Sequence, residues 1–309
     1  MPFVKEKFTV PAEMPAFLFI MRTFYFTQGQ AQRVIAKGRL LIEGKSMFLT
    51  GAKIEGEVEI VYFKPSSQGK LPLFQNRDFM IFEKPSGILV HPNTMATPYS
   101  MLDEIRHLSG DNANATHRID METSGLLLAS KHKKAEHHLK SSFEKRTIKK
   151  SYLAWVDGKL TEPFTSKEAI KVNKDGYEIT KHKVLISEDG KASHTEFVPL
   201  MYDEKLDASL VACYPHTGRL HQIRIHLFHV KHPILGDPIY GASYEASDAY
   251  LDMLQTKKER LIQHGAPRLM LHAQALTFTY GAKYHIESKM DFVSQKSLIC
   301  PKEERVFNR

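Results

Sequence analysis

The most unusual segment of the chain is HRIDMETSGL, at residues 117–126, where ionisable and hydroxyl side chains lead directly into an apolar run. A polar loop that precedes a buried strand is a place where a rigid scaffold holds functional groups. Its Thr-Ser-Gly sequence supplies hydroxyls and one permissive backbone position that can fix the loop around Asp120. These residue types suit chemistry in which a carboxylate takes part. Taken alone, however, an aspartate between Arg118 and Ser124 is more often a structural turn residue.

A second polar segment, residues 216–230, is rich in histidine and arginine. Thr217 is predicted to cap a helix there. The apolar stripe of this helix consists of Leu220, Ile223, Leu227 and Val230. Arg224 lies one turn after the start of the stripe, at its edge, and is therefore expected to be partly buried. Because a buried guanidinium needs a carboxylate or several carbonyls, the helix predicts an acidic partner elsewhere, either structural or functional.

The same segment contains a group of histidines that invites a metal-binding interpretation: His221, His226, His229 and His232. Two of them, His226 and His229, are three residues apart on the predicted helix. We predict no metal site, because His221 lies away from His229 on that helix and no acidic residue accompanies them at ligand spacing.

Two further segments have the pattern of strands that carry or are bounded by polar and turn residues. KKSYLAWV, at residues 149–156, alternates so that Tyr152, Ala154 and Val156 share one face. A lone strand tyrosine usually belongs to a core or an interface. EKPSGILVHP, at residues 83–92, has a Lys-Pro-Ser-Gly turn and a His-Pro ending that bound a strand.

The elements that position these residues predict an α+β domain with a mixed, mainly antiparallel sheet, because short β-rich runs alternate irregularly with few helices. The predicted strands include residues 79–82, 126–129, 152–156, 195–198 and 210–213. Residues 66–72 are polar and bounded by Pro and Gly, so we predict a linker there. The catalytic domain is accordingly placed at 73–309 and a small α+β module at 1–65.

The predicted module begins with a helix over residues 28–37, followed by a hairpin with a Glu-Gly-Lys turn and a strand over residues 57–63. Its cations cluster around the helix and the hairpin: Arg33, Lys37, Arg39 and Lys45. A solvated helix face explains such a cluster, and so does contact with a polyanion.

Composition favours a polyanionic partner and a globular enzyme. The formal net charge is +8 and the sequence pI about 9.2, a balance typical of proteins that bind nucleic acid. Cys213 and Cys300 are far apart and in no CxxC pattern, so neither a disulfide framework nor a cysteine zinc site is indicated. We expect a cytoplasmic protein with no membrane partner, since the N-terminal residues lack a leader pattern and no long apolar run occurs.

Together these segments resemble the RluA-type pseudouridine synthases over about residues 73–278. HRIDMETSGL is similar to that family's HRLD-x-x-TSGL signature, KSYLAWVDG to its K-x-Y-x-A-x-V strand, and TGRLHQIRIHL with HPILGDPIYG to its arginine-bearing motif. KPSGILVHP and LHAQALTF resemble the opening and closing strands. The chain departs from the family pattern at two places, which bear on its subfamily and target. Glu83 stands where the family commonly has Asn before Lys-Pro, and Thr279-Tyr-Gly replaces the His-Pro often found after the last strand.

The resemblance implies an isomerase that converts uridine in RNA to pseudouridine. The reaction breaks a nitrogen–carbon bond and forms a carbon–carbon bond to the same sugar with no redox change. It therefore needs no cofactor, and the sequence contains no GxGxxG, GxxxxGKS or HExxH. By resemblance Asp120 is the catalytic carboxylate, which attacks the sugar or ring or promotes loss of a sugar proton. Arg224 is expected to pair with Asp120 and keep it ionised.

The resemblance also implies roles for neighbouring residues. Tyr152 is expected to stack on the target base and to take up a proton late in the reaction. Arg118 resembles the arginine that fills the space left by the flipped base. His117, as a neutral imidazole, and Lys150 are expected to position the substrate. The module at 1–65 weakly resembles the RNA-binding module of ribosomal small-subunit protein four, which implies phosphate contacts for its cations.

RNA is the expected partner, with large-subunit ribosomal RNA favoured and transfer RNA as the alternative substrate. A catalytically inactive RNA-binding protein of the same fold is a second alternative, which the intact HRIDMETSGL disfavours. A histidine-ligated metal hydrolase acting on RNA is a third. We expect a monomer.

Overall fold

A computed structural model describes residues 2–174 and 176–306. The chain divides into two compact units: residues 2–69 with Pro92–His107, and Lys70–His91 with residues 108–306. Residues 92–107, which the sequence places in the catalytic domain, here belong with the first unit. The independent folding of segments 1–65 and 73–309 stays a prediction.

The first unit is an antiparallel sheet with helices. Its strands are β1 (Phe3–Pro15), β2 (Leu40–Ile42), β3 (Lys45–Met47) and β4 (Lys53–Phe63), and its helices are α1 (Ala16–Phe24), α2 (Gln28–Ala36) and most of α3 (Met101–Ser109). The strand order is β1-β4-β2-β3. The predicted helix and hairpin are confirmed: Thr27 caps α2 in a capping box, and the turn between β2 and β3 has positive φ at Glu43 and Gly44, as a type I′ turn requires.

The second unit contains the large sheet. Its strands are β5 (Phe74–Gln75), β6 (Phe79–Lys84), β7 (Asn114–Ala115), β8 (Ser124–Ser130), β9 (Lys149–Asp157), β10 (Phe164–Ser166), β11 (Ile170–Val172), β12 (Val184–Ile186), β13 (Thr195–Asp203), β14 (Ala208–Pro215), β15 (Leu271–Tyr280) and β16 (Ala282–Glu287). The sheet order is β10-β13-β14-β9-β15-β8-β6-β5, with β16 beside β15 and β7 beside β8, while β11 and β12 form a separate pair. Among the described strands only β15 and β8 pair in parallel, so the predicted mixed, mainly antiparallel architecture is confirmed.

The helices of this unit are α4 (Lys133–Glu144), α5 (Tyr177–Thr180), α6 (Gln222–His229), α7 (Tyr244–Leu251) and α8 (Lys257–His264), followed by 3-10 turns at Ser294–Leu298 and Lys302–Glu304. Strand β8 is buried at every position, which explains why its sequence is a continuous apolar run rather than an alternating one. Within the described ranges, no helix has the length and apolar character needed to cross a membrane.

Candidate active site

A cavity of about 670 Å³ is lined by residues from the loop before β8, from α4 and the turn after it, from β9, from the end of β14 and from α6. All six residues that the sequence analysis assigned to catalysis or substrate binding in the catalytic domain line this cavity: His117, Arg118, Asp120, Lys150, Tyr152 and Arg224. The fold therefore brings three separate sequence segments to one place.

Arg224 is the central cation of the cavity wall. Its Nε and Nη2 atoms donate to the two carboxylate oxygens of Asp237 at 2.7 and 2.8 Å, and Nη1 donates to Asp120 Oδ2 at 3.0 Å. The side chain of Arg224 is 5% exposed and that of Asp237 is fully buried. The contact with Asp120 that the sequence predicts is present, but the bidentate geometry, which is the stronger one, belongs to Asp237.

Asp120 is held ionised while remaining accessible from the cavity. Its side chain is 25% exposed, and His221 Nε2 lies 3.8 Å from the same Oδ2 atom that Arg224 contacts. Burial by itself would raise the pKa of Asp120, but His221 and the Arg224 guanidinium reverse the effect, so this pKa lies below its ordinary value. The carboxylate is thus an anion at neutral pH.

The helix that carries Arg224 begins later than predicted. It starts at Gln222, and His221 precedes it in the left-handed conformation with a φ of 51°. Thr217 does not cap it: the Thr217 hydroxyl donates to Gln222 Oε1 at 2.7 Å and accepts the His194 amide at 3.0 Å. Leu220 lies outside the helix and is 49% exposed. The predicted apolar stripe is wrong because residues 222–227 of α6 are all buried, so the helix has no solvent face there.

The loop that carries Asp120 is anchored by a buried lysine. The Lys84 ammonium donates to the carbonyl of Met121 at 2.8 Å and to two carbonyls of its own turn, at 2.8 and 2.9 Å. Burial lowers the pKa of Lys84 to about 7, an effect that nearby carboxylates oppose. Three carbonyl acceptors satisfy the three N–H donors of an ammonium, so Lys84 fixes the backbone beside Asp120.

Glu122 anchors the other side of this backbone. Its carboxylate accepts two hydrogen bonds from Arg260, at 3.2 and 2.7 Å, and one from the Tyr250 hydroxyl at 2.9 Å. The Ser86 hydroxyl donates to the Glu122 carbonyl at 2.6 Å. The polar residues around Asp120 are therefore largely supports that hold the loop in one conformation.

Gly125 is required where the loop enters β8. It has a φ of 104°, and a Cβ atom there would lie 2.3 Å from the carbonyl oxygen of Ala273 on β15. The contact arises because β8 and β15 pair in parallel at this point, with Ala273 opposite Gly125. Any side chain would separate the two strands and displace the loop.

The comparisons with known proteins agree on one family. A family model described as RNA pseudouridylate synthase matches residues 78–229. A Helicobacter pylori protein named as an uncharacterized RNA pseudouridine synthase is 37% identical over 291 residues, which cover 94% of this chain and 97% of that one. The chain belongs to the RNA pseudouridine synthase family.

Two further comparisons extend the similarity of this family member. Ribosomal large subunit pseudouridine synthase C of Pasteurella multocida is 32% identical over 251 residues, which cover 79% of this chain and 72% of that one. The solved structure titled Human RNA Pseudouridylate Synthase Domain Containing 1 has a TM-score of 0.60 at 24% identity and covers 77% of this chain and 91% of that one, which shows the shared fold. The predicted family and the isomerase class are confirmed.

Tyr152 and Lys150 lie on the β9 wall of the cavity. Burial, with a smaller effect of Asp120, raises the pKa of the Tyr152 phenol well above its usual value, so the phenol is neutral at neutral pH. Lys150 Nζ donates to the carbonyl of Thr217 at 3.2 Å. Burial and then Arg146 lower the pKa of Lys150 to about 8. The wall thus combines an aromatic face with a cation.

His117 and Arg118 differ sharply in environment. His117 Nε2 accepts the amide of Leu128 at 3.0 Å, and its ring stacks on Phe143 with 4.5 Å between centroids. Burial, followed by Lys150, lowers the pKa of His117 to about 3, so the imidazole is neutral as predicted. Arg118 is exposed and forms no hydrogen bond or ion pair with another described residue. The Arg118 guanidinium is therefore not fixed by a contact with another described residue.

The four predicted cations of the first unit also differ. Arg33, Lys37 and Lys45 are exposed, whereas Arg39 is partly buried with its guanidinium 4.5 Å from the centre of the Phe3 ring. Burial lowers the pKa of Arg39. Three of the four are thus accessible to a polyanion, and Arg39 has a packing role as well.

Two residues beside the Arg224–Asp120 pair were not assigned to the site by the sequence analysis: Asp237 and His221. Asp237 accepts the amides of Ile239 and Tyr240 as well as the guanidinium of Arg224, and the available signal was the predicted need for a buried acidic partner. His221 Nδ1 lies 2.9 Å from the Tyr240 hydroxyl. The Tyr240 hydroxyl accepts a hydrogen bond from the Val184 amide. We therefore assign the Tyr240 hydroxyl as the donor to His221 Nδ1, so that the imidazole carries its own proton on Nε2, the atom that faces Asp120.

Two of the four histidines considered as metal ligands, His226 and His232, contact protein groups. His226 contacts the hydroxyls of Ser193 and Thr195, and His232 Nδ1 contacts the carbonyl of Asp157. A different group among the described residues, His194, Glu196 and His216, has ligand atoms within 4.8 Å of one another. Its two imidazoles stack at 16° with centroids 4.2 Å apart, so their in-plane lone pairs do not converge on one ion.

Proposed function

We propose that the chain converts specific uridines of large-subunit ribosomal RNA to pseudouridine, as a cytoplasmic monomer with Asp120 as the nucleophile. The observation that carries this proposal is the Asp120 carboxylate, kept ionised by Arg224 and partly exposed in the cavity. The 32% identity of the chain with ribosomal large subunit pseudouridine synthase C of Pasteurella multocida supports the choice of ribosomal RNA. Transfer RNA is the alternative substrate.

In the proposed reaction the bond between uracil N1 and the sugar C1′ breaks, the uracil turns, and C5 bonds to C1′. The proton of C5 is lost and N1 gains one, so the product is an isomer. Asp120 serves by attack on the sugar or ring or by removing a sugar proton. We assign Tyr152 the stacking role, because a ring face holds a uracil without fixing its in-plane orientation. The Tyr152 phenol keeps its own proton at neutral pH, so we do not propose it as the base that removes the C5 proton.

A pseudouridine map of total RNA from cells with and without the gene tests the substrate. We expect one or a few sites to disappear from large-subunit ribosomal RNA and to return with the parent gene, but not with an Asp120→Asn gene. Sites lost only from transfer RNA would replace the ribosomal proposal. A map without any lost site, together with RNA binding by the purified protein, would favour the inactive RNA-binding alternative.

We propose that Arg118 acts in base flipping rather than in bond chemistry, because its guanidinium is exposed and without a described partner at the cavity. Arg118→Ala is expected to be slow on a target uridine held in a folded stem, where unstacking costs about a few kcal/mol, and much less impaired on an unstacked target. Single-turnover rates on the two RNAs measure this. Asp120→Asn should be inactive on both. Equal losses for Arg118→Ala would remove the flipping role.

We propose that Arg33, Lys37, Arg39 and Lys45 contact RNA phosphates. Replacing the three exposed members, Arg33, Lys37 and Lys45, by alanine should weaken RNA binding. The slope of log binding constant against log salt concentration should become shallower by about two. Substitution is preferable to truncation, since residues 92–107 group with this unit. The matched control is alanine at three exposed lysines that already pair with glutamates, Lys7, Lys53 and Lys64. Equal slopes in the two triple variants would favour a merely solvated face.

A further inference from the structure

Helix α4 ends in a turn whose key position glycine normally occupies. The amide of Thr147 donates to the Ser142 carbonyl at 3.0 Å, and that of Arg146 donates to the Phe143 carbonyl at 3.1 Å, which is the Schellman pattern. Arg146 holds the left-handed position with a φ of 59°. A residue with a Cβ atom is disfavoured there relative to glycine. The backbone therefore gains nothing from arginine at this position.

The turn alone does not mark a functional site, because Met253 occupies the same position at the end of α7. Met253 has a φ of 58°, its amide donates to the Tyr250 carbonyl, and the Leu254 amide donates to the Ala249 carbonyl. What distinguishes Arg146 is that it lines the catalytic cavity. Met253 is 91% exposed and is not among the cavity residues.

Among the residues that the structure describes, no carboxylate pairs with the Arg146 guanidinium. Its side chain is exposed and makes no hydrogen bond or ion pair with another described residue. Its charge contributes to the lowered pKa of Lys150, so the two cations are electrostatic neighbours. Glu144, which also lines the cavity, forms no ion pair with a described residue.

The charges around the cavity leave this wall positive. Six cationic side chains line it: Arg118, Lys140, Arg146, Lys150, Arg219 and Arg224. Two of them pair with carboxylates outside the lining, Lys140 with Glu136 and Arg224 with Asp237, each at 2.7 Å. The lining carboxylates are Asp120 and Glu144, and Asp120 is already paired with Arg224. Unpaired cations beside a cavity attract an anion, and the anion of an RNA substrate is its phosphate backbone.

We propose that Arg146 binds an RNA phosphate close to the target uridine. Arg146 presents a planar, charged guanidinium at this wall, and its fork of N–H donors matches the geometry of phosphate oxygens. The inference rests on the proposed function in that the ligand is RNA, but not on which RNA is modified.

The test is Arg146→Gly in the full chain, with Met253→Gly as the matched backbone control. Both variants should melt at or above the parent temperature, since glycine relieves the left-handed position. A fluorescent oligouridylate titrated over a range of salt concentrations reports the phosphate contact. Arg146→Gly should lower affinity by about fivefold at low salt and make the log–log slope shallower by about 0.7, as expected for one single-strand phosphate. Met253→Gly should change neither, and Arg146→Lys should keep most of the slope.

If Arg146→Gly keeps the salt dependence of oligouridylate binding that the parent shows, the proposal is overturned. If it keeps that salt dependence and also melts at a lower temperature, Arg146 is a structural residue. Failure of the parent to bind the oligouridylate at low salt would overturn it too, since a backbone contact needs no particular sequence. The probe does not depend on the natural substrate. A shallower slope combined with no lost site in large-subunit ribosomal RNA would therefore reject only the ribosomal assignment.

Discussion

Asp120→Asn is expected to abolish turnover, by at least about a thousandfold, while folding and RNA affinity stay close to those of the parent. Asparagine is nearly isosteric but carries no charge, so it neither attacks nor removes a proton. The fold should survive because Arg224 keeps its bidentate contact with Asp237. Single-turnover assays, a melting curve and RNA binding by anisotropy measure the three properties separately.

The matched control is Glu144→Gln, which removes the other carboxylate lining the cavity. Its turnover should remain within about threefold of the parent, since an exposed, unpaired carboxylate has little influence on a site. If Asp120→Asn stays within tenfold of the parent, Asp120 is not the nucleophile. If both variants lose activity equally, the cavity needs negative charge in general rather than one positioned carboxylate.

Arg224→Ala is expected to cost both stability and activity. Removing the guanidinium leaves Asp237 buried without its cation, and breaking a buried pair in this way costs about 3–5 kcal/mol. That loss corresponds to a fall of roughly 10 °C in melting temperature. Activity should fall as well, because without the Arg224 guanidinium burial raises the pKa of Asp120.

Arg219→Ala is the control for this prediction, since Arg219 lines the same cavity but is only partly buried and donates to the Ala192 carbonyl. It should cost under about 1 kcal/mol. If Arg224→Ala does not fold, the double variant with Asp237→Ala becomes informative. It should be less destabilised than the sum of the single variants, because the stranded charge is gone. An unchanged melting temperature for Arg224→Ala would show that the pair contributes nothing to stability.

The amino-acid sequence by itself determined the class of the domain, its main strands and the segments that carry chemistry. The runs at 126–129 and 152–156 lie within β8 and β9, and the helix predicted at 28–37 is α2. These elements follow from alternation, apolar runs and turn residues, which are local properties of the chain. The need for an acidic partner of Arg224 was also inferred from the sequence, because Arg224 lies among apolar residues of a predicted helix.

Tertiary structure alone decided how the carboxylates share Arg224 and which residues hold the loop. Asp237 takes the bidentate contact, and Lys84 binds the Met121 carbonyl across 37 positions of the chain. The late start of α6 has the same origin, since the Thr217 hydroxyl is engaged by distant polar groups rather than by the first turn of a helix. Such choices depend on long-range packing of strands and buried charges, and no local pattern in the sequence encodes them.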